Sequence, residues 1–529
     1  MRIAPAACAV ALVASAVACG SSGGEAQREN LADGGTYVTS LTADPGNLNP
    51  LTAIKQTTNS VVTFAYDTLI NINADGKIVP QLAAEWEATE RSVTYTLKEG
   101  ITCSDGTELT AKAVADNFTW AKDPANASTV IGSGLPSYDY TVDFDNTART
   151  VTITMDTPYA FLTEGAGLVR IVCPAGLADP DSLAHATNGT GPFVLTDYVA
   201  DEHLTMEVRE DYAWGPDGAR TDVPGFPDTV EFRIVQNATT AVNLFLSGEL
   251  SDVTPDSADK ARLEDRNAFT LETLQGPTEF FFNERDGFPT NDPDVRRALT
   301  MALDRDALVE AVTEGEGMPA DGLAVIAPRP CPDDTVSGHL PDHDPEAAAD
   351  LLDQAGWTAG SDGVREKDGE RLTITLGYPT DTPAIDAAME LVRQWWEDIG
   401  VEVESKGQGT NAFLETLFGG TDWDVAFLNV QIAYPTDFIQ FASGPTPPNG
   451  QNFAEISNPS YDRLTAEAAM TPTEQGGCDL WAQAEQALFE AVDVVPISNS
   501  VVVTYADQVE YGPGIWNLAE PTSIRMYEQ

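Results

Sequence analysis

The side chains with chemical potential in this sequence are overwhelmingly carboxylates: 83 Asp and Glu stand against 28 Lys and Arg and four His. Acid–base catalysis by a carboxylate pair needs surroundings that push the two pKa values apart. With acids in every segment no pair stands out, and a solvated face is the default for each. Asn71-Ile72-Asn73-Ala74-Asp75-Gly76 places oxygens at alternate positions before a glycine, like the start of a calcium loop. The bidentate acid should follow at the loop's last position, which is Leu82, so Asp75-Gly76 reads better as a turn between strands. His339 and His343 have a metal-binding spacing for a helix, beside Asp342 and Asp344, but Pro341 and Pro345 preclude a regular helix there. Gly189-Thr190-Gly191-Pro192 lacks the Lys-Ser/Thr of a phosphate loop. The Gly-x-Ser-x-Gly pattern at Gly20 to Gly24 lies in a small, polar stretch and not between a strand and a helix, so no nucleophile elbow is offered. The sequence predicts no catalytic residue, no metal site and no cofactor.

Charge excludes further classes. A net charge of −55 repels phosphate, so nucleic acid is not an expected partner. It also opposes an anionic membrane surface unless something tethers the chain. Only 8 of the 28 basic residues are lysine, a bias that suits high salt, where screening softens self-repulsion. A generally acidic secreted protein explains it equally well. Arg2 followed by the uncharged stretch Ile3 to Ala18 reads as a signal peptide over 1–18. The stretch ends Ala16-Val17-Ala18-Cys19 and resembles a bacterial lipobox, with Ala16 where Leu is usual. Cys19 is then the lipidated first residue, and 19–34 is a small, polar tether. No later stretch is apolar enough to span a membrane. Cys8 leaves with the signal. Cys103, Cys173, Cys331 and Cys478 remain for two disulfides in an oxidising compartment, with three pairings open.

The elements alternate between strand and helix. Strands are expected at 93–97, 151–155, 229–235 and 372–378 from their period-two patterns. Helices start at Asp292-Pro293 and Asp344-Pro345, each a capping acid before a proline at the first helical position. Gly356 and Gly400 stop the second of these and a helix over 390–399, and a strand follows at 401–404. The length calls for two or three α/β lobes.

Several segments resemble the family 5 extracytoplasmic solute-binding proteins, the oligopeptide, dipeptide and nickel binding group. They are Phe64 to Ile70, Asp75 to Trp86, Tyr95 to Ile101, Ser104 to Ala111, Gly189 to Phe193, Leu246 to Asp252, Asp294 to Leu299 with Ala302 to Arg305, Asp344 to Trp357 and Asn458 to Leu464. They occur in family order over nearly all of the mature chain. The resemblance implies a two-lobed α/β fold of the type II periplasmic-binding kind, with an extra subdomain, a two-strand hinge and ligand buried between the lobes. Applied here, lobe I takes 35–56, 187–276 and 499–529, the extra subdomain 57–186 and lobe II 277–498. Pairing Cys103 with Cys173 and Cys331 with Cys478 keeps each bridge within one of these units and is favoured on that ground. The implied function is capture of a small solute, a peptide by family default, for the permease subunits of an ABC importer. The implied protein is a monomer held to the outer face of the cell membrane by the lipid on Cys19.

In peptide-binding relatives an Asp before a Tyr takes the peptide amine, and an Arg a few residues earlier faces the carboxylate. The matching positions here are Ala433 and Phe427, so both charges are missing, although a slip of alignment brings Asp437 into play. This points to a neutral or apolar ligand held by aromatic and amide groups. The expected contacts are Thr57, Thr58 and Asn59 from the N-terminal side, Phe280, Phe281 and Asn283 at the lobe junction, and Phe427, Asn429, Gln431, Tyr434 and Asp437 from lobe II. Core packing is the alternative for each. The competing functions are a secreted hydrolase and a sensory binding protein of the same fold.

Overall fold

The computed structural model describes residues 31–528 apart from 54, 74–75, 136–138, 264–265, 267, 327–328, 381–382, 420–421 and 472–475. The signal peptide, Cys19 and most of the tether, and Ala74 and Asp75 of the calcium-like stretch, lie outside the described residues. Among the described residues no helix is long and apolar enough to cross a membrane.

Local sequence accounts for the element ends. Asp292 Oδ1 accepts from Asp294 N at 3.0 Å and starts the helix Pro293–Met301. Asp344 Oδ1 accepts from Ala347 N at 2.9 Å and starts Pro345–Gln354. Gly400 sits at φ +87°, where a Cβ would be strained, and lets Pro383–Asp398 turn into the strand Glu402–Gln408. Strands form at Ser92–Leu97, Thr150–Met155, Thr229–Ile234 and Thr373–Pro379.

Apolar side chains gather into two main cores. One unites Tyr37 to Phe232 with Ala506 to Ile524, and the other holds Phe280 to Ile497. The first core covers two four-stranded sheets. One has Thr36–Leu41 at its edge, parallel to Thr229–Ile234; the other is built from Ala83–Ala88, Ser92–Leu97, Thr150–Met155 and Tyr140–Asp145. The disulfide Cys103–Cys173 lies within this lobe. The second core fills a larger sheet and contains the lobe that Cys331–Cys478 staples.

Two long strands, Phe269–Phe282 and Val494–Ala506, run antiparallel from one core to the other. Their register is continuous from Phe269↔Ala506 to Leu274↔Val501 and resumes shifted at Pro277↔Asn499. The interruption falls at Gln275-Gly276. A Cβ on Gly276 would stand 2.7 Å from Val430 O, so only glycine permits that approach. A broken ladder between two packed cores is where a hinge costs least.

Candidate ligand-binding site

A cavity of about 340 Å³ opens where the lobes meet. Its first wall is the loop Pro50, Leu51 and Ala53 with Asn59 of the helix Gln56–Ala65. Val130 and Gly134 form the second, and Gly165, Leu168, Val169 and Arg170 the third. Tyr434 of the second lobe and Trp516 of the C-terminal segment complete it. Space at Gly165 is fixed by backbone: a Cβ there would stand 1.9 Å from Gly134 O. Trp516 is held at φ +62°, an uncommon conformation for a bulky residue. The neighbouring Asn517 donates to Leu274 O at 2.6 Å on the crossover strand, tying this strained turn to the hinge.

Arg170 is the cavity's charged group. It follows the short helix Leu162–Gly167 and is held in place by flanking bonds, Ile171 N to Asp67 O and Val172 N to Asn117 Oδ1, both 2.9 Å. The guanidinium donates to Asn59 Oδ1 at 3.1 Å and Thr63 Oγ1 at 3.0 Å, two residues one turn apart on the same helix face. No carboxylate among the described residues forms an ion pair with it. Burial draws its pKa down to about 10, so it stays charged at neutral pH. Behind it lies a second space of about 20 Å³, near the size of one water, which it shares with Asp67 and Glu520. Neutral donors satisfy both acids. Asp67 accepts from Gln81, Tyr212, Thr190 and Trp214 at 2.8–3.0 Å, and Glu520 from Asn71 and Thr522. Burial pushes both carboxyls above the usual range.

The lobes touch beside the cavity. Phe161 of the first lobe is fully buried against Tyr434 and Trp481 of the second, with ring centroids 5.3 and 5.8 Å away. The buried Tyr434 hydroxyl has no hydrogen-bond partner among the described residues. Asp437 is half-buried in the same contact, and burial raises its pKa to about 6.

Of the expected contacts, Asn59 and Tyr434 line the cavity. Thr57 is half-buried and its hydroxyl has no partner among the described residues, and Thr58 donates to Pro45 O at 3.1 Å. The expectation for Phe280, Phe281, Phe427 and Asn283 is corrected by their packing. Phe280 and Phe427 pack against each other with tilted rings 4.9 Å apart, Phe281 packs on Phe438 and Phe453, and Asn283 donates to Trp423 O at 2.9 Å. All four are core, because the strands that carry them are covered on both faces. Asn429 is also occupied, donating to Pro277 O at 3.0 Å across the hinge, and Gln431 is exposed. The sequence reading missed Arg170 and Trp516. Arg170 had a signal: it is a lone charge in Leu168-Val169-Arg170-Ile171-Val172, where a solvated side chain has no place. His339 and His343 turn to different carboxylates, those of Glu490 and Asp304.

Residues 77–452 match the model of the bacterial extracellular solute-binding proteins, family 5 Middle. Protein XP55 of Streptomyces lividans is 31% identical over 434 residues, covering 77% of this chain and 73% of the relative. The oligopeptide-binding protein OppA of Bacillus subtilis is 23% identical over 525 residues, covering 92% and 91%. A substrate-binding protein of Microbacterium hydrocarbonoxydans, solved with 4-hydroxybenzoate hydrazide, superposes with a TM-score of 0.64 at 25% identity, over 93% of this chain and 99% of that one. With more than half its length matched by the family model, the chain belongs to the family 5 bacterial extracellular solute-binding proteins.

Proposed function

We propose that this protein is the receptor of an ABC importer, capturing a small solute outside the cell and delivering it to the permease subunits. The observation that carries this reading is the cavity at the lobe junction, walled by both lobes beside a break in the two crossover strands. Closing about such a hinge removes the solute from water without unfolding either core. The permease then distinguishes loaded from empty by shape. The lobe boundaries fit that motion at 276/277 and 498/499, with 57–186 as the extra subdomain, and the unit acts as a monomer. Cys19 carries the lipid that keeps it at the outer face of the membrane. The two disulfides accord with an extracytoplasmic compartment.

A cavity of about 340 Å³ is at the small end of the usual ligand-site range of about 300–1,000 Å³, which favours a compact solute over a long peptide. The hydrazide bound by the Microbacterium relative is of that size class and is a rational first probe. The test is deletion of the gene together with transport. Cells lacking the protein should lose uptake of its solute and regain it with the wild-type chain, whereas a Cys19→Ala chain should be shed to the medium. Unchanged uptake would refute the importer reading, and retention of the Cys19→Ala chain would refute the anchor.

A further inference from the structure

Among the described residues the cavity is lined by one charged side chain, and none of them forms an ion pair with it. Arg170 is nine-tenths buried, lines the cavity, and among the described residues is hydrogen-bonded to the neutral side chains of Asn59 and Thr63. A guanidinium has five N–H donors in a planar fork, and these two bonds leave others free. Isolated buried charge is expensive, and in a chain of net charge −55 a partner acid would have been easy to supply. Asp67 and Glu520 behind it do not fill that role, being saturated by neutral donors. Leu51, Val130, Leu168 and Trp516 are apolar wall, and Asn59, Thr129 and the Tyr434 hydroxyl, which has no hydrogen-bond partner among the described residues, are further polar points.

Resting on the receptor reading, we propose that the transported solute is a small organic acid whose carboxylate docks on the Arg170 guanidinium, with its apolar body against Leu51, Val130, Leu168 and Trp516. Arg170 then does two things. It selects an anion, and it makes the loaded cavity electrically neutral. The acidic surface repels such a solute at long range, so selection happens at the cavity and not by steering. This replaces the neutral ligand inferred from Phe427 and Ala433: the charge is present, but it comes from the first lobe.

Two measurements test this together. The solute is released by denaturing protein purified from its own cells and identified by mass spectrometry. In parallel, stripped protein is titrated with matched acids and amides (phenylacetate and phenylacetamide, indole-3-acetate and indole-3-acetamide), read by calorimetry. An acid in the extract is expected, with carboxylates binding at least about ten-fold tighter than their amides in the wild type. Arg170→Gln, which retains an amide donor for Asn59, should abolish that preference, and Arg170→Lys should keep part of it. A misfolded variant leaves the wild-type comparison and the extract decisive. A non-acidic solute, or amides binding as well as acids, would overturn the carboxylate and leave the receptor reading standing. An empty extract with no binding of any probe would count against both.

Discussion

Replacing Phe161 with alanine separates lobe closure from folding. The ring is fully buried, and two of its ring contacts, Tyr434 and Trp481, lie in the other lobe. Tyr159 touches it from its own lobe, with centroids 6.3 Å apart. When the lobes part, the ring keeps Tyr159 and loses the rest. Burying a Phe is worth about 1.5–3 kcal/mol, and each aromatic pair adds about 0.5–1.5 kcal/mol. Discounting the surface that Tyr159 still covers leaves about 2–3 kcal/mol favouring the closed arrangement, or roughly 30- to 150-fold in the closing equilibrium. Where the solute-free lobes are mostly apart, that factor appears whole in the observed Kd. Calorimetric titration with the released solute should show this weakening, while the melting temperature of the solute-free protein changes little, because Phe161 is already exposed in the open form. Unchanged affinity with a melting temperature lowered as for any core cavity would refute the reasoning: Phe161 would then be a permanent core residue, and the lobes would not separate.

Other outcomes follow from buried groups and from charge. Glu279 on the crossover strand is fully buried, neither oxygen has a hydrogen-bond partner among the described residues, and burial with Glu485 nearby raises its pKa well above the usual value. The native state therefore holds the proton more tightly than the unfolded chain. The stability it retains below the ordinary pKa of about 4.3 is lost as pH rises through the raised value. Glu279→Gln should raise the melting temperature at neutral pH and make no difference near pH 4; an equal loss at every pH would contradict this. Asp437 reports closure in the same way. Its carboxyl, raised to about 6, faces Tyr159 across the lobe contact and lies beside Tyr434 of its own lobe. Above about pH 5, where a carboxylate solute stays ionised, solute affinity should fall as pH climbs through about 6, because the open form leaves Asp437 near its ordinary pKa of about 3.9. Asp437→Asn should flatten that profile if the closed contact is protonation-linked, and an unaltered profile would exclude it. Reducing the bridges Cys103–Cys173 and Cys331–Cys478, which close loops of 70 and 147 residues, should lower stability in denaturant titrations. The chain-entropy model puts each at about 4–5 kcal/mol, and no change on reduction would show that the bridges are dispensable. Sodium chloride should raise the melting temperature by screening the net charge of −55, and a salt-independent melt would place the acids too far apart to repel.

What the sequence made legible was local. A capping acid and a proline, as at Asp292-Pro293 and Asp344-Pro345, fix a helix start through bonds within three residues, so no distant partner can overrule them. The cavity is the opposite case. Pro50, Asn59, Arg170, Tyr434 and Trp516 come from separate elements and meet only through the tertiary fold. Period-two patterning also fails in strands covered on both faces. Residues 425–428 are all buried, so Phe427 carried no mark to distinguish a ligand contact from core. Trp516 depends on a left-handed backbone that its residue type does not announce. Of the two residues missed, Arg170 was recoverable, from the cost of a charge in an apolar run.

Delivery to an importer requires a solute held between lobes that close on it. Small-angle scattering of the stripped protein, before and after adding back its own released solute, tests this most directly. The loaded protein should have a smaller radius of gyration, and Phe161→Ala should lose that compaction at the same solute concentration. A solute that binds tightly and leaves the particle's dimensions unchanged in both proteins would contradict it.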